Sequence, residues 1–209
     1  AKRLREAEIE PTQLGVEAYL RAMRPNEAWE QEVARLIRKL ASKSFRERQR
    51  ATRALSTMPL PPLRALRKAL EDANTEVTYR SRRILAEIGR GRHESRLRQV
   101  LLFIRSQGMK GLTKDLLGAS LIWDDPLIRW DIARTIQATW QSSDEALVRD
   151  RIKTGKPNEQ IVAVLTLALV KPEGAIRFLS SLPKSLDPWY RLAVAEALAN
   201  FGSPTALPR

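Results

Sequence analysis

Apolar residues recur every three to four positions along most of the chain. Three such stripes are Ala51, Leu55 and Met58; Leu63, Leu66 and Leu70; and Leu97, Leu101 and Ile104. This spacing places apolar side chains on one face of a helix, as in amphipathic α-helices. No segment combines strand alternation with the turn signals of hairpins. The pattern therefore predicts an all-α protein.

Helix breaks are expected where proline and glycine interrupt the apolar stripes. These positions are 58–62, 89–91, Gly108, 171–172 and Gly202. Upstream of the first break, two further helices are expected, from Leu14 to Met23 and from Glu27 to Ala41.

The chain also repeats at a near-constant step. Pro126, Pro157 and Pro188 are 31 residues apart, and core and arginine positions keep the same step. The same frame extends back to Ser44 and Asn74, which are 30 residues apart. Regular self-similarity at this period is the signature of stacked helical hairpins.

Small polar residues open most of these units. Ser44, Asn74, Asp125 and Asp187 are predicted N-caps, whose side-chain oxygens accept a free backbone N–H of the first helical turn. Proline follows the cap in two units, at a helical position where its missing N–H costs nothing. The unit at Lys156 keeps the proline and lacks the cap.

Together these features predict a right-handed α-solenoid of four to five helical hairpins, because one hairpin cannot bury its apolar stripe alone. Residues 1–43 would form an N-terminal helical cap or a degenerate first repeat. The array would occupy 44–209, with units near 44–73, 74–108, 125–155, 156–183 and 187–209 and an insertion at 109–122 that holds one extra short helix.

The segment 187–207 resembles a HEAT-like repeat of the phycobilisome-lyase type. It opens with Asp-Pro-Trp-Tyr-Arg, continues with a stripe of small residues and Ala-Leu, and has a glycine before the second helix. Residues 44–70 resemble the same unit, and the resemblance covers roughly 44–209. It implies an armadillo-like α-solenoid and leaves the function open, because such arrays serve many roles.

Composition excludes several kinds of chemistry. The 209 residues include no cysteine and one histidine, His93, so disulfides, thiolate nucleophiles and Cys- or His-rich metal sites are not expected. No stretch is long and apolar enough to span a membrane, and no phosphate-cradling glycine motif is present. We therefore expect no cofactor, no metal and no catalysis.

One enzyme class is kept as an alternative. Certain alkylpurine DNA glycosylases consist of HEAT-like repeats and use tryptophans and an aspartate at the lesion, on a basic surface. The same residue types lie close together in this chain, at Trp123, Asp124, Arg129, Trp130, Asp131 and Arg134.

The charge is strongly uneven. The formal net charge is +13, and residues 35–114 hold 21 Lys/Arg against six Asp/Glu, whereas residues 123–209 hold 11 against 10. Arg53, Arg83 and Arg134 share one repeat position and would align as a ladder on stacking. The candidate binding residues are Arg46, Arg50, Arg53, Arg64, Lys68, Arg80, Arg83, Arg92, Arg96 and Arg134.

These residues favour a non-catalytic scaffold that presents an extended basic surface to a partner. A protein partner or a neighbouring domain fits this surface, and so does nucleic acid, since arginine suits both carboxylate and phosphate. The alternative is that the arginine excess reflects composition only.

The ends of the chain suggest a piece of a longer protein. Residue 1 is alanine, and Ser203–Arg209 reads as the start of another helix. No signal peptide is visible at the charged N-terminus, which favours a cytoplasmic location and leaves a secreted mature form open.

Overall fold

The structure is a computed structural model that describes residues 2–6, 9–88 and 92–171. This part of the chain is helical and has no strand, which confirms the predicted all-α class. The predicted unit 187–209, part of the unit 156–183 and the predicted breaks at 89–91 and Gly202 lie outside the described residues.

The helices follow one another with short connections. They are α1 (Lys2–Glu6), α2 (Gln13–Ala22), α3 (Glu27–Leu40), α4 (Phe45–Thr57), α5 (Leu63–Lys68), α6 (Thr75–Ile88), α7 (Arg92–Gln107), α8 (Thr113–Ala119), α9 (Pro126–Ala138), α10 (Asp144–Thr154) and α11 (Pro157–Val170). A single 3-10 turn follows α5 and another follows α8. Helices α2 and α3 are the two expected before residue 44, and α8 is the short helix expected in the insertion.

The helix starts follow the predicted capping chemistry. The Asp125 carboxylate accepts the Leu127 N–H at 2.7 Å, and the Asn74 side-chain oxygen accepts the Glu76 N–H at 3.0 Å. The Ser44 hydroxyl is farther, at 3.5 Å from the Glu47 nitrogen. These contacts confirm the three caps that fall within the described residues.

One glycine ends a helix as expected. Helix α7 stops at Gln107, and Gly108 follows with φ of +59°, in the left-handed region. The N–H of the next residue, Met109, returns to the Ile104 carbonyl at 3.1 Å. Glycine is favoured here because other residues carry a steric cost at positive φ.

The chain forms two compact units. Within the described residues, one unit comprises 22–88 and 92–97, and the other comprises 2–6, 9–21 and 98–171. The boundaries fall inside α2 and α7. This division rests on compactness, and the repeat boundaries remain predictions.

In the 22–97 unit, α3 packs against α4, and both α4 and α5 pack against α6. Its core consists of aliphatic residues from these helices: Val33, Leu36, Leu40, Ala51, Leu55, Leu66, Val77 and Ile84. The apolar stripes of α4 and α6 therefore point inward, and their opposite sides are left to solvent.

In the other unit, α11 packs against α8, α9 and α10, and α8 also packs against α9. Fully buried aliphatic residues come from α9, α10 and α11: Ile128, Ile132, Ile136, Val148, Val162, Val164 and Leu167. Helix α11 is buried along nearly its whole length, which fits its almost uninterrupted apolar sequence from Ile161 to Val170.

Candidate functional site

The solvent side of α4 carries three of the predicted arginines. Arg46, Arg50 and Arg53 are exposed, because Ala51 and Leu55 on the same helix face the core. Residues 46, 50 and 53 are three to four positions apart, so they lie on one helix face. The structure therefore brings these three predicted residues together.

Helix α6 separates its arginines into two groups. Arg83 is exposed, as is Arg82, which the sequence interpretation did not select. Arg80 differs from the expectation of a contact residue, since only 7% of it is exposed. It lies on the side of α6 that faces α4, where its Nη1 donates to the Thr52 hydroxyl at 3.1 Å. Arg80 therefore holds two helices together and is not available to a partner.

Arg80 belongs to a charged cluster with Arg48 and Glu76. The Glu76 Oε1 accepts from Arg80 Nε at 2.7 Å and from Arg48 Nε at 2.9 Å. The hydrogen bond from Arg80, helped by the nearby charge of Arg48, holds the pKa of Glu76 below its ordinary value. Both guanidinium groups also lie near the Phe45 ring, at 5.8 Å (Arg48) and 6.0 Å (Arg80) from its centroid.

The remaining arginines on these two helices are not bound by Glu76. No ion pair to them occurs among residues 2–6, 9–88 and 92–171. We call this set the arginine face, and it consists of Arg46, Arg50, Arg53, Arg82 and Arg83. Five exposed guanidinium groups that form no ion pair with the described residues lie on two adjacent helices, and they create a local positive field that favours anionic groups.

Two exposed aromatic side chains lie on the same helices. Phe45 is 63% exposed at the start of α4, and Tyr79 is 61% exposed on α6. Tyr79 precedes Arg83 by four residues, so the two share one helix face. The sequence interpretation missed both rings as site residues. The available signal was the recurrence of an aromatic residue close to arginines in two successive predicted units.

The other predicted residues are spread more widely. Arg64 and Lys68 are exposed on α5, Arg96 is half-buried on α7, and Arg134 is exposed on α9. Arg134 lies in the other compact unit, and the side chain of Arg92 lies outside the described part. The structure thus unites only some of the ten candidates.

An open groove of about 560 Å³ lies within the described part of the 22–97 unit. Trp29, Val33 and Ile37 provide its apolar lining. Its charged lining has both signs, with the cations Arg38 and Lys68 and the anions Glu30, Glu71 and Asp72. The groove therefore lacks the positive excess of the arginine face.

The residues that suggested a glycosylase have structural contacts. Trp123 is only 4% exposed, so its ring belongs to the core. The Asp124 Oδ1 accepts from Asn158 Nδ2 at 3.0 Å, and the Asp131 Oδ2 lies 3.6 Å from Arg98 Nη1. Asp125 caps α9. The two carboxylates named for catalysis thus already contact side chains of the protein.

Metal-binding clusters and membrane-spanning helices are both absent from the described part of the chain. No group of three or more His, Asp or Glu side chains there is arranged to hold a metal ion. None of the helices α1–α11 has the length and hydropathy needed to cross a bilayer.

No model of a known protein family matches the chain, and no curated protein sequence matches it.

Proposed function

We propose that this chain is a non-catalytic binding module that offers the arginine face on α4 and α6 to an anionic partner. The observation that carries the proposal is the contrast within one pair of helices. Arg48 and Arg80 share an ion pair with Glu76, whereas the five arginines of the arginine face have no ion-pair partner in the described part of the chain.

The unpaired charges favour an anion for a physical reason. Like charges a few ångströms apart repel each other, and salt screens them only beyond about 8 Å at physiological ionic strength. An anionic partner removes this repulsion and releases counterions on binding. Arginine adds geometry to charge, because its planar guanidinium can hold carboxylate or phosphate oxygens with two parallel hydrogen bonds.

For the architecture we propose the HEAT-like solenoid, in which the first helix of each hairpin packs on the first helix of the next hairpin. Two pairs of first helices support it, since α4 packs on α6 and α9 packs on α11. One repeat position is buried in all four described units, at Ala51, Ser81, Ile132 and Ala163. Stacked first helices would produce a continuous outer surface, and this is the surface that carries the arginine face.

Two partner chemistries fit a guanidinium-rich surface. One is an acidic protein or a neighbouring domain, for which the chain would serve as a scaffold. The other is a polynucleotide. Both predict binding that weakens as salt is raised, because both depend on exposed charges.

The test is retention on immobilised heparin, a sulfated polyanion that binds to positively charged surfaces. The variant R53E/R83E changes two residues of the arginine face, and R38E/K110E makes the same net charge change at positions outside it. We expect R53E/R83E to elute at much lower salt than R38E/K110E. Circular dichroism verifies that both variants keep their helices.

Equal loss of retention in the two variants would contradict the proposal. It would mean that the net charge of +13 governs binding and that the arginine face has no special role.

A further inference from the structure

We propose that the partner of the arginine face is a single-stranded polynucleotide, with bases that stack on Tyr79 and Phe45 and phosphates that pair with the surrounding arginines. This inference rests on the proposed function and adds the chemical class of the partner. The observation that supports it is the exposure of the two aromatic rings, which the positive charge of the surface does not explain.

Phe45 lies on the part of the surface where α4 and α6 meet, and Tyr79 lies on the exposed side of α6. Arg80 of α6 reaches across to α4, with its Nη1 at 3.5 Å from the Gln49 Oε1 and its guanidinium 6.0 Å from the Phe45 ring centroid. Tyr79 is the residue before Arg80. Phe45 and Gln49 are one helical turn apart, so they form a ridge of α4 beside this junction.

Exposed arginines continue both ridges. Arg53 follows Gln49 by one turn on α4, and Arg83 follows Tyr79 by one turn on α6. Each ridge therefore presents an aromatic ring and then a cation in the same chain direction. Adjacent packed helices lie about 8–10 Å apart, so the two ridges form one continuous surface.

The rings have no role in the protein's own core. Phe45 is 63% exposed and Tyr79 is 61% exposed, whereas the large apolar residues of α4 and α6 that face inward are nearly all buried. The Tyr79 ring lies one turn from Arg83 and offers a stacking platform beside a phosphate-binding group. The Phe45 ring is also exposed, and the guanidinium groups of Arg48 and Arg80 lie near it. This is the combination by which proteins bind single strands with little sequence preference.

A duplex or poly-glutamate would leave the rings unused. The bases of a duplex are stacked on each other, so an unspecific basic surface meets only its phosphates. Poly-glutamate has carboxylates for the arginines but no flat π-system for the rings. Single strands use both features, because every base has a π-face that is free to stack.

The experiment measures the affinity of a labelled oligothymidine by fluorescence anisotropy, with a duplex of the same length and poly-glutamate as competitors. We expect the single strand to bind more tightly than the duplex. Y79A and F45A should each weaken oligothymidine binding about tenfold, which corresponds to the loss of one stacked base. Y79F keeps the ring and should bind as the wild type does.

A salt titration separates the rings from the charges. Removing a ring should leave the slope of log affinity against log salt unchanged, whereas R53Q/R83Q should lower its magnitude by about 0.7 for each phosphate that is no longer neutralised. L127A removes an apolar side chain that is 62% exposed on α9 and serves as the control for a general loss of exposed apolar surface.

The outcomes distinguish this inference from the proposed function. If Y79A and F45A bind oligothymidine like the wild type while R53E/R83E loses heparin binding, the single-strand proposal is overturned and the arginine face stands. The same holds if duplex or poly-glutamate competes as well as the single strand. If R53E/R83E and its matched control are retained equally on heparin, the proposed function itself fails.

Discussion

Helices α4 and α6 make a pair that can be compared with α9 and α11 in the other compact unit. In both pairs the helices pack directly and an arginine joins them, through Arg80 to Thr52 in one and through Arg129 to Asn158 in the other. Their solvent sides differ. The first pair carries the arginine face and two exposed rings, whereas the exposed residues of α9 include Leu127 and Arg134, a cation without an ion pair among the described residues.

The difference shows that packing and surface chemistry vary independently along this chain. The side of each helix that faces its neighbour uses small, aliphatic and internally paired residues in both pairs. The outward side is free of that constraint, so it can carry five arginines in one pair and few in the other. A binding role is therefore argued from the solvent side, and the helical architecture alone does not supply it.

The largest expected effect tests the part that the two pairs share. Leu55 of α4 and Ile136 of α9 occupy one predicted repeat position and are both 0% exposed. L55A and I136A should each lower the free energy of unfolding by about 2–5 kcal/mol, because each leaves a cavity in a packed core. Urea denaturation followed by circular dichroism measures this.

The control for these core variants is L127A, at an exposed apolar position, which should change stability by less than about 0.5 kcal/mol. If either core variant were as stable as L127A, the shared repeat position would have no packing role and the comparison between the two pairs would fail.

The next effect tests the part in which the pairs differ. R53Q/R83Q removes two cations from the arginine face, and we expect at least a tenfold loss of affinity for a polyanion, since charge-assisted hydrogen bonds are worth about 1.5–3 kcal/mol each. R134Q removes an exposed cation of α9 and should have a smaller effect. Titration with heparin at several salt concentrations gives both values.

A loss per residue in R134Q equal to that in R53Q/R83Q would show that the binding surface includes α9. That result would support the ladder of Arg53, Arg83 and Arg134 that the sequence predicts for a stacked array.

The sequence is sufficient to predict the helices and many of the N-caps, because both depend on residues that are close together along the chain. Apolar period, caps and breaks place α4, α6 and α9 within a few residues of their observed bounds. The same frame did not reveal the role of Arg80, since burial depends on which side of α6 meets α4. Residues 50 and 80 share a repeat position, yet only Arg50 is exposed.

The candidate site was predictable only in part for a related reason. A count of arginines identifies a basic region, but it does not show which cations a carboxylate neutralises. Glu76 decides this within the described part of the chain, because it pairs with Arg48 and Arg80 and not with Arg53 or Arg83. The pair with Arg80 is four residues apart on one helix and follows from helical spacing. The pair with Arg48 requires the distance between two helices, which the sequence pattern does not contain.

A smaller effect concerns the helix caps. The Asp125 carboxylate is 2.7 Å from the Leu127 nitrogen, whereas the Ser44 hydroxyl is 3.5 Å from the Glu47 nitrogen. D125A should therefore lower the free energy of unfolding by about 1 kcal/mol, and S44A should cost less. Urea titration of both variants ranks them. A larger loss for S44A would contradict the ranking.

The smallest effect is the pH dependence that Glu76 gives to the pair α4 and α6. Because the hydrogen bond from Arg80 lowers its pKa in the folded protein, this carboxylate stabilises the fold at pH values above its ordinary pKa. The contribution is lost as the pH falls through the lowered value, where Glu76 becomes protonated. E76Q lacks this titration, so the difference in unfolding free energy between wild type and E76Q should be largest at neutral pH and shrink on acidification.

E87Q removes a charge from the same helix and is the matched control. The result that would contradict this is a difference in unfolding free energy between wild type and E76Q that stays constant from neutral to acid pH. It would show that the pairing of Arg48 and Arg80 with Glu76 adds no stability. The contrast between these two arginines and the arginine face would then have no energetic basis.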